Sequence, residues 1–138
     1  MSSLIYVISC RYQDHLLSSS QNDGLDIYEI IQSENNKYHI ILQDDNNVVG
    51  YEGTKAFFST NTSCYDLGKK GINCFRHALF VLQNDGNLVV YTHNNYCVWS
   101  ISTNGIGIGP YKLTMQNDRN IVLTDSRKEI LWSSNTAI

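Results

Sequence analysis

The sequence predicts an all-β domain made of one unit repeated three times, and three observations carry that expectation. The chain of 138 residues has a single proline and no long apolar stripe at helical spacing. Short β-rich runs alternate with turn residues instead. The stretch Leu82-Gln83-Asn84-Asp85-Gly86-Asn87-Leu88-Val89-Val90-Tyr91 sets an Asp-Gly step between two apolar, β-branched runs, a strong hairpin signal. The same pattern recurs: Gln43, Asp45, Asn47, Val49, Tyr51; then Gln83, Asp85, Asn87, Val89, Tyr91; then Gln116, Asp118, Asn120, Val122, with Thr124 in place of the tyrosine. The steps are 40 residues (43 to 83) and 33 (83 to 116), a period expected of a repeated supersecondary unit.

Taken in order, residues 1–12 read as an edge or closing strand. Their apolar run, Leu4 to Ile8, is too short for a signal peptide and has no basic flank, so a cytoplasmic protein is expected. Residues 13–26, with Ser18-Ser19-Ser20 and Asn22-Asp23-Gly24, read as loop-rich, and Ile27 to Gln32 as a strand. Ser33 to Lys37 is a turn leading into Tyr38–Gln43 and the first hairpin, which ends at Tyr51. Residues 63–77 form the longest connector and absorb most of the seven-residue excess of the first step. The second repeat runs to about Thr103. Asn104 to Pro110 is a glycine-rich repeat linker, without the Lys-Ser/Thr pair or following helix of a phosphate loop. The expected organisation is one domain over 1–138, with repeats at about 13–63, 64–104 and 105–138.

Strand alternation sorts each hairpin into two faces. Leu42 and Val48, then Leu82, Leu88 and Val90, then Met115, Ile121 and Leu123 form the core set, with Gly50 as the one gap. The other face carries amide, carboxylate, amide and phenol around one valine. A second marker follows in phase: Phe58-Ser59-Thr60-Asn61-Thr62, Trp99-Ser100-Ile101-Ser102-Thr103 and Trp132-Ser133-Ser134-Asn135-Thr136. One large aromatic per repeat predicts three rings meeting near a pseudo-threefold axis.

Composition narrows the function. Charged residues are only 17%, the net charge is −3 and the pI about 5.7; nucleic acid and anionic membrane surfaces call for a basic patch instead. No segment is long enough to insert in a membrane. The four cysteines, Cys10, Cys64, Cys74 and Cys97, lack paired C-x-x-C spacing. Cys74-x-x-His77 and His93-x-x-x-Cys97 read as core or loop residues rather than metal ligands. No acidic calcium loop and no nucleophile–base order stands out, so neither a cofactor nor an enzyme is expected. Uncharged amides, hydroxyls and phenols suit a neutral polyhydroxylated ligand.

Three copies of Gln-x-Asp-x-Asn-x-Val-x-Tyr, each followed by an aromatic-Ser-x-x-Thr segment, resemble the bulb-type (monocot-type) mannose-binding lectins. The resemblance implies a β-prism of three four-stranded sheets. It further implies that Asp and Asn hold the axial 2-hydroxyl of mannose, Gln the 3-hydroxyl and Tyr the 4-hydroxyl, while Val packs on the sugar's carbon face. A calcium-independent lectin for mannose-rich glycans follows, with complete sites at Gln43, Asp45, Asn47, Val49, Tyr51 and at Gln83, Asp85, Asn87, Val89, Tyr91. The third set, Gln116, Asp118, Asn120, Val122 and Thr124, is expected to bind feebly or not at all, because threonine is too short to reach where a phenol would. Arg119 there reads as a solvated turn residue. Relatives often bridge a cysteine in the first motif to one ahead of the second; Asn46 occupies the former position, so that bridge is absent. Cys64 and Cys74 bracket a loop and their pairing stays open. Many relatives exchange C-terminal strands in dimers, and Ile130 to Ile138 could do so or could close their own prism. Some family members join mannose-bearing vesicles to the cytoskeleton and others are antimicrobial lectins; both stand as alternatives.

Overall fold

The computed structural model describes residues 13–72, 74, 78–92 and 95–138. The strand expected over 1–12, with Cys10, and the residues His77 and His93 lie outside the described residues. Twelve strands and one short helix are described. β1 (His15–Ser18), β2 (Asp23–Leu25) and β3 (Ile30–Gln32) come first. Then come β4 (Tyr38–Leu42), β5 (Val48–Glu52) and β6 (Lys55–Ser59), followed by α1 (Cys64–Lys69). β7 (Leu79–Leu82), β8 (Leu88–Tyr91), β9 (Cys97–Ser100), β10 (Tyr111–Met115), β11 (Ile121–Thr124) and β12 (Ile130–Ser133) complete the chain.

They form three four-stranded sheets, β3-β4-β5-β6, β2-β7-β8-β9 and β1-β10-β11-β12, antiparallel in every resolved register. The all-β, three-sheet expectation therefore holds. Each repeat supplies three consecutive strands, and the fourth comes from residues 15–32, which send one strand to each sheet. Residues 13–26 thus hold two strands rather than a loop-rich passage. Strands of only three or four residues carry no readable alternation; their partners, β10 and β7, stabilise them from 55 or more positions away. The strand expected from Ile27 starts at Ile30, because Glu29 N donates to Asp26 O in a turn and Tyr28 lies at φ 71°. α1 also departs from the expected connector: the Ser63 hydroxyl caps it by accepting from Asp66 N, and Leu67 is buried beneath it. β12 pairs with β11 of its own chain. No helix among the described residues is long and apolar enough to cross a membrane.

The core faces interlock as the hairpins require. Leu42, Val48, Leu82, Leu88, Val90, Met115, Ile121 and Leu123 are all buried in one cluster with Leu16, Phe80 and Leu113. The three marker rings meet edge to face: Phe58–Trp99 at 6.4 Å, Phe58–Trp132 at 6.1 Å and Trp99–Trp132 at 6.3 Å between centroids. Such T-shaped contacts set the positive edge of one ring on the negative face of another. The gap at Gly50 is filled by the Phe57 ring, whose Cζ would lie 2.8 Å from a Cβ placed there. Gly50→Val, which would restore the repeat pattern, is therefore expected to destabilise the fold by about 1–3 kcal/mol through overpacking. Urea unfolding would show it, and a neutral or stabilising change would refute this packing.

Asp125 ties two loops together. Its buried carboxylate accepts from Ile108 N (3.1 Å), Arg127 N (2.9 Å) and Glu129 N (3.0 Å), and from the Arg127 guanidinium. Desolvation pushes its pKa up, but the three backbone donors and Arg127 outweigh it and hold the group below its ordinary value of 3.8. A carboxyl with a depressed folded pKa stabilises above its unfolded pKa and loses that contribution as pH falls through the folded one. Wild type and Asp125→Asn should accordingly differ in melting temperature at neutral pH and converge as the pH falls below 3.8 and through the depressed folded pKa. A gap that stays constant through the acid range would contradict this.

Candidate functional site

Each hairpin tip is built the same way. Gln83 N donates to Asn87 O at 2.9 Å and Gly86 N to Gln83 O at 3.0 Å, closing a tight loop of Asn84, Asp85 and Gly86. The third loop residue must take a left-handed conformation: Gly86 has φ 90°, Asn46 φ 73° and Arg119 φ 76°. Glycine does so without steric cost and asparagine tolerates it. Arg119 is held there by its contacts, and this corrects its reading as a solvated turn residue. Its Nε donates to Thr136 O (3.0 Å), its guanidinium faces Glu52 at 3.7 Å, and it lies 5.7 Å from the Phe57 ring centroid. It locks the third tip onto the first sheet.

The structure brings each predicted set together on one hairpin. Asp45 and Asp85 are exposed at their tips, and Oδ1 of each accepts from the backbone N of Asn47 or Asn87 at 2.9 Å. The side-chain carbonyl of the motif asparagine faces the protein. Asn47 Oδ1 accepts from Ser59 Oγ, Thr60 Oγ1 and Thr62 N. Asn87 Oδ1 accepts from Ser100 Oγ and Thr103 N, and Asn120 Oδ1 from Ser133 Oγ and Thr136 N. The marker threonine completes the clamp, its hydroxyl donating at 2.7 Å to the carbonyl of Asn46, Gly86 or Arg119. This explains why the two sequence motifs recur in phase: the Ser-x-x-Thr segment is the mould for the asparagine. That role was missed from sequence, although the spacing of 15 or 16 residues from asparagine to threonine signalled it. With its carbonyl engaged, each asparagine can offer only an Nδ2 hydrogen outward, as a donor; in Asn47 the other Nδ2 hydrogen goes to Ser59 Oγ at 3.0 Å.

The tyrosine and glutamine touch. Tyr51 Oη donates to Gln43 Oε1, and Gln43 Nε2 reaches Asp45 Oδ1 at 3.1 Å. In the second hairpin Gln83 Nε2 donates to Tyr91 Oη. The valines sit lower than expected. Val49, Val89 and Val122 are 4%, 1% and 2% exposed, flanked in register by Ile41 and Ser59, Val81 and Ser100, or Thr114 and Ser133. They lie covered beneath the polar side chains rather than present a broad apolar face. The third hairpin keeps the clamp but not the rim: Thr124 Oγ1 turns to Lys112 O at 3.4 Å.

Two neighbours set the first hairpin apart: one, His39, was not assigned to it from sequence, and the other, the Cys64–Cys74 pair, was left open there. The His39 ring stacks on Tyr51, 5.5 Å between centroids and 29° between planes, where the second hairpin has Leu79 opposite Tyr91. Burial pushes the His39 imidazole below its ordinary pKa, which favours the neutral ring. Behind the tip, Cys64 and Cys74 form a disulfide. Asn46, at 1% exposure, accepts from Ala78 N through Oδ1 and donates to Cys74 Sγ through Nδ2, both at 3.0 Å. Among the described residues no group of three metal-ligating side chains gathers at any tip.

No family model matches the chain. It is 31% identical over 99 residues to a mannose-specific lectin of Aloe arborescens, an alignment covering 72% of this chain and 80% of that protein. It is 45% identical over 69 residues to Comitin of Dictyostelium discoideum, which covers 46% of this chain and 37% of Comitin. Among solved structures, it resembles a monomeric monocot mannose-binding lectin of Gastrodia elata, with a TM-score of 0.75, 28% identity, and coverage of 91% of this chain and 100% of that one. The mannose-specific agglutinin of snowdrop bulbs, solved with methyl-α-D-mannoside, matches with a TM-score of 0.67 and 28% identity over 91% of this chain and 99% of that one.

Proposed function

The chain belongs to the bulb-type mannose-binding lectin family, and on that premise we propose that it binds mannose through its first and second hairpins, without a metal ion. One observation supports this most. In both complete hairpins the asparagine carbonyl is pinned behind the tip, which leaves an Nδ2 donor beside an exposed Asp45 or Asp85 acceptor. A sugar hydroxyl donates one bond and accepts others, so a fixed carboxylate and a fixed amide NH satisfy it from two directions. An axial hydroxyl lies where an equatorial one does not. A site shaped for it leaves polar groups unpaired when the wrong epimer enters, and this discriminates mannose from glucose.

Gln43 or Gln83 and Tyr51 or Tyr91 then take the neighbouring hydroxyls, already joined to each other at the rim. The third hairpin lacks the phenol, and its Thr124 hydroxyl is directed to backbone. Losing one neutral hydrogen bond costs on the order of 1 kcal/mol, a large share of what a shallow groove offers. Two weak sites gain avidity when a branched glycan or a glycosylated surface engages both.

The test is a residue-resolved NMR titration with methyl α-mannoside in the presence of EDTA. Amides over 43–51 and 83–91 should shift, those over 116–124 should stay nearly still, and methyl α-glucoside should do neither. Loss of binding on chelation, or shifts confined elsewhere, would refute the proposal.

A further inference from the structure

The three tips share a bond that leads to a difference between them. The backbone carbonyl of the motif aspartate accepts from an amide in the loop that follows the marker segment: Asp45 O from Cys64 N (2.9 Å), Asp85 O from Gly105 N (2.7 Å) and Asp118 O from Ile138 N (3.0 Å). The residue after the bonded amide therefore stands next to the site. At the second hairpin it is Ile106, half exposed on a loop. At the first it is Tyr65, 76% exposed on α1.

Tyr65 is carried on a braced platform. Leu67, two residues on and so near the opposite side of the helix, is buried at 1% exposure. Ser63 caps the helix start, with Asp66 N donating to its hydroxyl at 3.1 Å. The Cys64–Cys74 disulfide closes the loop, and Asn46 of the first tip bonds to Cys74 Sγ. Lys69 Nζ lies 4.7 Å from the centroid of the Tyr65 ring, which engages one face of the phenol. Tyr28 flanks the same tip on another side, but its hydroxyl is committed to Asp44 Oδ2 at 2.7 Å.

We infer, on the mannose reading above, that Tyr65 forms a second subsite of the first hairpin, against which the next hexose of an α-linked mannose oligosaccharide packs. Hexose rings present an apolar C–H face, and an exposed aromatic ring held beside a sugar groove is a surface that such a face can cover. A monosaccharide seated on Asp45 and Asn47 does not reach it. The second hairpin has Ile106 instead of an aromatic ring at this place, so the two sites differ in substrate length as well as in His39.

The experiment uses the full chain carrying Asp85→Ala, which leaves the first site alone, titrated calorimetrically with methyl α-mannoside and with each α-linked methyl dimannoside. At least one dimannoside should bind about fivefold tighter than the monosaccharide. Adding Tyr65→Ala should remove that gain while monosaccharide affinity stays within about twofold, and Tyr65→Phe should retain it. A gain that survives Tyr65→Ala, or no gain in its presence, would overturn the subsite with the mannose reading intact. Absence of any mannoside binding would overturn both.

Discussion

Asp85→Ala is expected to weaken mannoside binding at the second hairpin by roughly tenfold or more while barely moving the unfolding midpoint, whereas Asn87→Ala should lower both. The difference follows from which way each side chain faces. Asp85 is exposed, and its carboxylate accepts from Asn87 N at 2.9 Å. Hydrogen bonds to a charged partner contribute about 1.5–3 kcal/mol, so removing the carboxylate falls on the ligand. Asn87 is different, because its Oδ1 gathers Ser100 Oγ, Thr103 N and Leu88 N around one atom. Alanine would strand these donors in a largely buried loop, at about 1–3 kcal/mol for each donor left unsatisfied. Calorimetry with methyl α-mannoside beside urea unfolding separates the two effects. If both variants lost binding with unchanged stability, the clamp assigned to the asparagine would be wrong.

Trp99→Ala should cost folding stability toward the lower end of the about 3–5 kcal/mol of large aromatic deletions, since the ring is partly buried against the core. The ring packs edge to face on Phe58 and Trp132 and tilts against Phe80 at 6.4 Å. Each sheet sends one marker ring to this junction, so its loss loosens all three sheets rather than one. The two tryptophans should also fail to add. In a cycle of Trp99→Ala, Trp132→Ala and the double variant, a coupling of about 0.5–1.5 kcal/mol is expected for a ring pair in contact. Guanidinium unfolding of the four proteins gives the value. Single losses below about 1 kcal/mol, or strict additivity, would show that the rings are neighbours without being a shared core.

The scaffold was legible where the chain repeats itself. Leu42 and Val48, Leu82 and Leu88, Met115 and Ile121 recur at matched positions in three copies, and the aromatic-Ser marker follows each glutamine by 15 or 16 residues, so the hairpins and the ring cluster could be read directly. β1 and β2 could not, because Asp23, Gly24 and Leu25 become a strand only by pairing with Leu82, Val81 and Phe80. α1 was hidden for a similar reason: six residues are too few for a periodic signal, and a cap, one buried leucine and a disulfide hold the turn. Within the candidate site, residue identities were visible but orientations were not. That Asn47 faces Thr62, that Val49 is nearly covered and that Arg119 reaches Glu52 all depend on loops folding back. The glycine gap at position 50 marked an irregularity, and only the position of Phe57 gives its cause.

The nested partnership of β3 with β4, β2 with β7 and β1 with β10 sets a timetable for synthesis. As the nascent chain leaves the ribosome, β3 meets its neighbour almost at once, β2 waits for the middle repeat, and β1 stays unpaired until the third repeat has emerged. Contacts that close the longest loops form last, so the sheet holding the Thr124 hairpin seals the prism, and the two hairpins with the full Gln-Asp-Asn-Val-Tyr set are shaped before it.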